Sequence, residues 1–355
     1  MKIFSQTIIR WYNKNKRDLP WRHTTDPYKI WLSEIILQQT RVQQGMPYYE
    51  TFAKKFPTVH HLANAKEDAV MKTWQGLGYY SRARNLHHTA KFISKELKGK
   101  FPNEYEAIKN LKGIGEYTAA AIASFAFNKP YAVVDGNVFR VLSRYFGIHS
   151  PIDSTGGKKE FTRRAQQLLD KKYPGVFNQA IMEFGALQCV PHNPDCGKCP
   201  LKKGCEALAK NKIAELPVKS QKTKVSIRYF NYFIIKKNGK TLIKKRTEND
   251  IWKNLYDFPM VETKREMKKP PLNPLLQRGL VGFNSSPSGS LGSTFKHVLS
   301  HQIIFAKFWE VVGLNSNLKK PIQRAHKKII YVSDNQLYKF AFPRLIQRYF
   351  EEKGA

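Results

Sequence analysis

The sequence predicts two domains of different class: a mainly α N-terminal domain, followed by a smaller α+β domain. Three observations predict this. At 355 residues the chain exceeds what one hydrophobic core usually serves. Residues 1–210 carry apolar side chains at three- and four-residue spacing, as in Trp31-Leu32-Ile35-Ile36 and Ala119-Ala120-Ile122-Ala123, the helical period. Beyond residue 225 the runs 227–235 and 303–312 are rich in aromatic and β-branched residues, which favours strands.

Within the first domain, Pro47, Pro57, Gly76, Gly78, Gly99, Pro102, Gly113 and Gly115 are expected to separate short helices. Residues 211–224 are polar and Lys-rich and are read as a linker. The second domain then covers 225–355, with a closing helix expected within 342–353.

Charge narrows the partner. Lys and Arg total 61 against 27 acidic residues, a net +34 shared by both halves, as expected of a protein that binds nucleic acid. No apolar run approaches the roughly 20 residues of a membrane span. The opening residues are interrupted by Arg10 and lack a signal-peptide core, so neither a membrane partner nor secretion is expected.

The four cysteines, Cys189, Cys196, Cys199 and Cys205, all fall in one short loop with Pro, Gly and Asn between them. Such clustering suits metal ligation better than stapling a long chain; the alternative is buried structural cysteines. Four thiolates fit zinc or an iron–sulfur cluster, and the spacing favours the cluster.

That spacing resembles the C-terminal loop of the endonuclease III and MutY class of DNA glycosylases. Leu111-Lys112-Gly113-Ile114-Gly115, followed by Tyr117-Thr118-Ala119-Ala120, resembles their helix-hairpin-helix. Physically, Gly113 and Gly115 allow a tight turn whose N–H groups, at a helix start, can cradle a phosphate; Lys112 reads as a phosphate contact. Residues 133–141, with Asp135, resemble the Gly/Pro-rich loop and aspartate that complete the motif. Bifunctional members place a lysine where this chain has Tyr117. A tyrosine cannot form an imine, so the resemblance implies a monofunctional glycosylase.

The MutY adenine glycosylases are matched more narrowly by residues 17–22, 31–40 and 76–85. Glu34 stands in an apolar stretch, where a carboxyl partly withdrawn from water has a raised pKa, as a general acid requires. Glu34 and Asp135 form the carboxylate pair that glycosidic chemistry uses. The resemblance implies that Glu34 protonates the leaving adenine at N7, that Asp135 stabilises or transiently traps the sugar cation, and that Tyr117 and Asn137 orient the pair. It also implies that Gln39 and Tyr79, with Thr40, Leu77 and Gly78, wedge beside the opposite base while Arg22 and Leu37 line the adenine pocket. Arg82 and Arg84 read equally as phosphate contacts or as a solvated face.

Residues 225–350 resemble the Nudix-like C-terminal domain of the same proteins. Residues 252–259 are recognisable, and residues 297–301 align with the block that reads 8-oxoguanine, through Ser300 and His301. Leu299 replaces the aromatic of that block, and Phe139 stands where some relatives carry lysine. The Glu-rich helix that holds Mg²⁺ in working Nudix hydrolases is absent, so a lesion reader is expected rather than a second catalyst. The resemblance implies excision of adenine mispaired with 8-oxoguanine or guanine in double-stranded DNA, a [4Fe–4S] cluster on the four cysteines, and a monomeric, cytoplasmic, nucleoid-associated bacterial enzyme of base excision repair.

Overall fold

The computed structural model describes residues 2–220, 225–271, 289–311 and 329–354. It divides into two compact units: Met1–Asn64 with Asn85–Lys222, and Ala65–Arg84 with Thr223–Ala355.

The first unit is helical. It contains α1 (Lys2–Asn15), α2 (Pro27–Leu37), α3 (Val42–Lys55) and α4 (Val59–Asn64). The next helix, α5 (Glu67–Trp74), belongs to the second unit, and α6 (Ser81–Lys95) begins there and continues into the first. Then follow α7 (Tyr105–Lys109), α8 (Glu116–Phe127), α9 (Gly136–Phe146), α10 (Thr155–Leu168), α11 (Pro174–Leu187) and α12 (Glu206–Ala209). Side-chain caps start several of them. Asp26 accepts from Tyr28 N ahead of Pro27 in α2, and Ser154 accepts from Gly157 N in α10. Asn128 and Gly147 end α8 and α9 in the left-handed conformation. A core of Ile8, Val138, Leu142, Phe161, Phe177 and Phe184 joins α1, α9, α10 and α11.

Pro47 was expected to break a helix, yet it lies inside α3. The backbone carbonyl it leaves without an N–H partner belongs to Gln43, an exposed residue that water can reach, while Tyr49 and Phe52 bury the opposite face. The linker expected over 211–224 also differs. Leu216 is buried and its carbonyl accepts from Arg144 Nε at 3.1 Å. The Val218 carbonyl accepts from Ile152 N, and Ser220 donates to Asp153. The stretch up to residue 220 is therefore part of the first unit; Lys-rich composition concealed its single apolar anchor and its backbone pairing. Residues 221–224 lie outside the described residues.

The second unit is built on a mixed sheet: β1 (Ser226–Lys237), β2 (Lys240–Lys245), β3 (Tyr256–Asp257), β4 (Met260–Thr263), β5 (Gly289–Val298), β6 (Gln302–Val311) and β7 (Ile329–Ser333). Strand order is β3-β2-β1-β6-β5, with β4 also on β1 and β7 on β2. The pair β1 and β6 is parallel, from Ser226 opposite Gln302 to Ile235 opposite Val311, whereas β5 and β6 run antiparallel with a bulge between Leu291 and Ser293. The closing helix α13 (Arg344–Lys353) covers the sheet through aromatic packing: Tyr349 stacks on Phe308 at 4.4 Å, and Phe258 meets Tyr349 and Phe350 edge-on. Among the described residues no helix is long and apolar enough to cross a membrane.

Candidate active site

Glu34 sits within α2 among Leu32, Ser33, Ile35 and Ile36, all buried, and is itself 7% exposed. Burial pushes its carboxyl up to about 7; the nearby Tyr117 phenol pulls it partly back, and the charge of Asp135 raises it further. Tyr117 occupies the second position of α8, immediately beyond the glycine turn. Burial, then the charges of Glu34 and Asp135, hold its hydroxyl well above the usual tyrosine range, so it remains a neutral donor. Its hydroxyl also lies 3.9 Å from Met182 Sδ. Three elements far apart in sequence thus bring Glu34, Tyr117 and Asp135 together.

Asp135 is the N-cap of α9. Its Oδ1 accepts from Val138 N at 2.8 Å and its Oδ2 from Asn137 Nδ2 at 2.8 Å. Burial raises the Asp135 carboxyl, and these N–H donors with nearby Arg140 oppose that rise. Arg140 in turn fixes Asn137, donating to its Oδ1 at 2.8 Å, and reaches the carbonyls of Gly185 and Cys189 at 2.6 Å each. The segment leading to Asp135 has no ladder partner; side chains replace one. Ala132 N donates to Gln166 Oε1, Val133 N donates to Asn178 Oδ1, and buried Asn178 also donates to the Tyr131 carbonyl at 2.8 Å.

The hairpin turn is exposed at Lys112, Gly113 and Gly115. Gly113 has φ +83°, and a Cβ there would come within 2.7 Å of Asn85 Cβ, so glycine is required. Gly115 caps α8 without a side chain across its first turn, leaving N–H groups that can meet an anion. After α2, Gln39 is exposed with φ +53°, Thr40 Oγ1 donates to the Gln38 carbonyl, and Leu37 is half-buried against Gly45. Gln39 and Tyr79, with φ +46°, are two of only three described non-glycine, non-asparagine residues in the left-handed region. Strain of that kind concentrates at functional positions.

Arg22 is engaged with a residue the sequence reading missed. Its guanidinium donates to Glu183 Oε1 at 3.0 Å and Oε2 at 2.8 Å, and Arg17 holds the same carboxylate at 2.9 and 2.6 Å. Burial would raise Glu183, but the hydrogen bonds from Arg17 and Arg22 overcome it and pull the carboxyl down to about 2. The signal was present: Glu183 interrupts an apolar run as Glu34 does.

Two family models match this architecture. Residues 32–170 match the HhH-GPD superfamily of base excision DNA repair proteins, and residues 231–352 match the NUDIX domain. An adenine DNA glycosylase of Buchnera aphidicola from Acyrthosiphon pisum is 35% identical over 354 residues, spanning 98% of this chain and 97% of that protein. The chain belongs to the adenine DNA glycosylase family. The human adenine DNA glycosylase is 43% identical over 213 residues, covering 58% of this chain and 39% of its own. Among solved structures, a thermostable thymine-DNA glycosylase is 34% identical with a TM-score of 0.55, covering 59% of this chain and 96% of its own. A non-covalent endonuclease III–DNA complex, 20% identical with a TM-score of 0.52, shares the fold of the helical part, over 59% of this chain and 95% of its own. Family membership makes this chain a monofunctional DNA glycosylase, a hydrolase of N-glycosyl bonds in DNA repair, as the tyrosine at position 117 led one to expect.

The cysteine loop lies between α11 and α12. Cys189, Cys196, Cys199 and Cys205 are all free and half-buried. Burial raises Cys196 and Cys205 and pushes Cys199 up to about 11, with smaller contributions from neighbouring thiols, so the four sulfurs sense one another. Opposing this, the Leu201 amide donates to Cys199 and the Ala207 and Leu208 amides to Cys205. Arg144 Nη1 lies 3.5 Å from Cys189 Sγ. Such donors stabilise thiolates, which are the metal-binding form. Among the described residues no three His, Cys, Asp or Glu side chains converge as one metal ion needs.

In the second unit, a cavity of about 690 Å³ collects Leu77, Gly78, Tyr79, Ser300 and His301, walled also by residues 249–252. The Tyr79 hydroxyl donates to Ser300 Oγ at 2.9 Å, and Ser300 Oγ lies 3.1 Å from His301 Nδ1. Neither Arg82 nor Arg84 lies on a fully solvated face. Arg82 is buried over the rings of Trp74 and Tyr79 and donates to the Leu77 and Gly78 carbonyls at 3.3 Å; burial lowers its pKa to about 10. Arg84 donates to the Lys253 carbonyl at 2.9 Å. Phe139 meets Phe161 edge-on, a packing role.

Proposed function

We propose that the protein excises adenine mispaired with 8-oxoguanine or guanine in duplex DNA, with Glu34 as general acid and Asp135 facing the cationic sugar. The observation that carries this reading is the divided environment of the two carboxyls. Glu34 is buried to a pKa near 7 and can hold a proton at neutral pH, whereas Asp135 receives N–H donors that favour its anion. Adenine leaves poorly as an anion. Glu34 delivers a proton to N7, the C1′–N9 bond breaks as its electrons pass to the protonated base, and the Asp135 carboxylate stabilises or briefly traps the oxocarbenium ion. Glu34, now ionised, draws a proton from the water that attacks C1′. A positioned acid contributes roughly 10²–10⁴-fold, so the two carboxyls share the rate with binding and orientation. Tyr117 holds Glu34, Asn137 holds Asp135, and Arg22 and Leu37 border the base pocket.

A base inside a duplex must first be extruded. Exposed Gln39 and Tyr79, with Thr40, Leu77 and Gly78, are assigned to the opposite base and the gap, and Lys112, Gly113 and Gly115 to a phosphate. The cavity shared by Tyr79, Ser300 and His301 is assigned to 8-oxoguanine, with Leu299 at its wall. Cys189, Cys196, Cys199 and Cys205 are assigned to a [4Fe–4S] cluster. Their donor set fits it: four free, half-buried thiols lie in one loop, and cysteine thiolates are the ligands such a cluster takes. When bound, the cluster would supply a rigid cross-link that shapes the loop for DNA.

The test is release of adenine from duplexes carrying it opposite 8-oxoguanine, guanine or thymine, scored as alkali-labile sites. The expected order is 8-oxoguanine above guanine above thymine, with Glu34→Gln and Asp135→Asn abolishing release while retaining duplex binding. Unchanged turnover in either variant would overturn the mechanism.

A further inference from the structure

Within the second unit, the segment Ala65–Arg84 is tied to the sheet domain by a set of polar contacts that the reaction does not require. The Asp68 carboxylate receives the Lys245 ammonium and, at 3.2 Å, the Tyr256 hydroxyl. Lys245 and Tyr256 stand directly opposite each other on β2 and β3, so one carboxylate is gripped by a cross-strand pair. Beside it, Asn254 Nδ2 donates to Glu67 Oε1 at 2.7 Å from a backbone with φ +69°. Lys72 Nζ donates to the Phe340 carbonyl at 3.1 Å, at the other end of α5.

The connection between β2 and β3 contains residues 249–252, one wall of the 690 Å³ cavity, and α5 leads directly into Gly76–Tyr79, another wall. Locking α5 to this hairpin therefore sets the separation of the two walls. We propose that Asp68, supported by Glu67, is a positioning residue for lesion discrimination: it fixes the Gly76–Tyr79 loop against the cavity of the sheet domain, acting through Tyr79. This rests on the assignment of that cavity to 8-oxoguanine. The lock governs the distinction between opposite bases and leaves the chemistry at Glu34 alone.

The experiment is single-turnover adenine release opposite 8-oxoguanine and opposite guanine for Asp68→Lys, Lys245→Asp and the doubly exchanged protein. Each single variant is expected to lower the ratio of the two rates by about five- to tenfold, with the rate opposite guanine unchanged, and the exchange is expected to restore the ratio. A ratio unchanged in both single variants, or a loss on both substrates that the exchange does not restore, overturns the proposal. Ser300→Ala with His301→Ala is the control for the underlying reading. If that pair keeps the preference, the lesion-reader assignment fails; if it loses the preference while Asp68→Lys keeps it, only the positioning role fails.

Discussion

Glu34 lowers the stability of the folded protein at the pH where it works. Its ordinary pKa is 4.5 and its folded pKa is about 7, so between those values the folded chain holds a proton that the unfolded chain has lost. Stability associated with this group is full below about pH 4.5 and declines as pH rises toward and through 7. Glu34→Gln removes the charge and keeps a partner for Tyr117. It is expected to stabilise the protein by a few kcal/mol at pH 8, on the order of the linkage free energy, and by nothing at pH 4, while activity falls at least about 10²-fold. Thermal unfolding at both pH values checks this, and equal shifts would refute it. For the unaltered protein, kcat/KM should fall as pH rises through about 7, as the acid loses its proton. Glu34 could be singled out from sequence because a carboxyl in an apolar helix is visible there; its partnership with Asp135 and Tyr117 was expected only through the family resemblance, since α2, α8 and α9 are joined by tertiary packing.

At the scale of elements, the segment before Asp135 shows how irregular backbone is held in place. Its N–H and C=O groups are met by Gln166 and Asn178 rather than by a neighbouring strand. Asn178→Ala would leave the Val133 N–H and the Tyr131 carbonyl without these partners, costing about 1–3 kcal/mol. It is also expected to lower kcat through displacement of Asp135, with duplex affinity nearly unchanged; a change in affinity alone would count against this account. Strands 226–237 and 302–311 and the closing helix were legible within one or two residues because their aromatic and apolar patterning is strong. The helix through Pro47 was not, because an exposed helix can pass a carbonyl to water. Nor was the burial of Arg82, whose charge is opposed by desolvation but compensated by two carbonyls and two aromatic rings.

Across the whole molecule, the cysteine loop is tied to the core of the first unit. Cys189 and Cys199 pack against the core of the first unit, and Arg140 and Arg144 bind carbonyls of the same loop. Iron analysis is expected to find about four irons per chain with visible absorbance, and Cys199→Ser is expected to lose both and to weaken duplex binding at least about tenfold, with helical content retained. Zinc in place of iron, or undiminished binding, would reject the assignment. The sequence by itself determined the family, the two fold classes, the absence of a lyase lysine and the clustered thiols, because each depends on residue identity in local patterns. Only the tertiary structure decided that Glu183 is clasped by two arginines, that residues 211–220 belong to the first unit, and that Ala65–Arg84 is held by the sheet domain. These depend on contacts between residues as much as 268 positions apart, whose free energy comes from burial and pairing that no local pattern records.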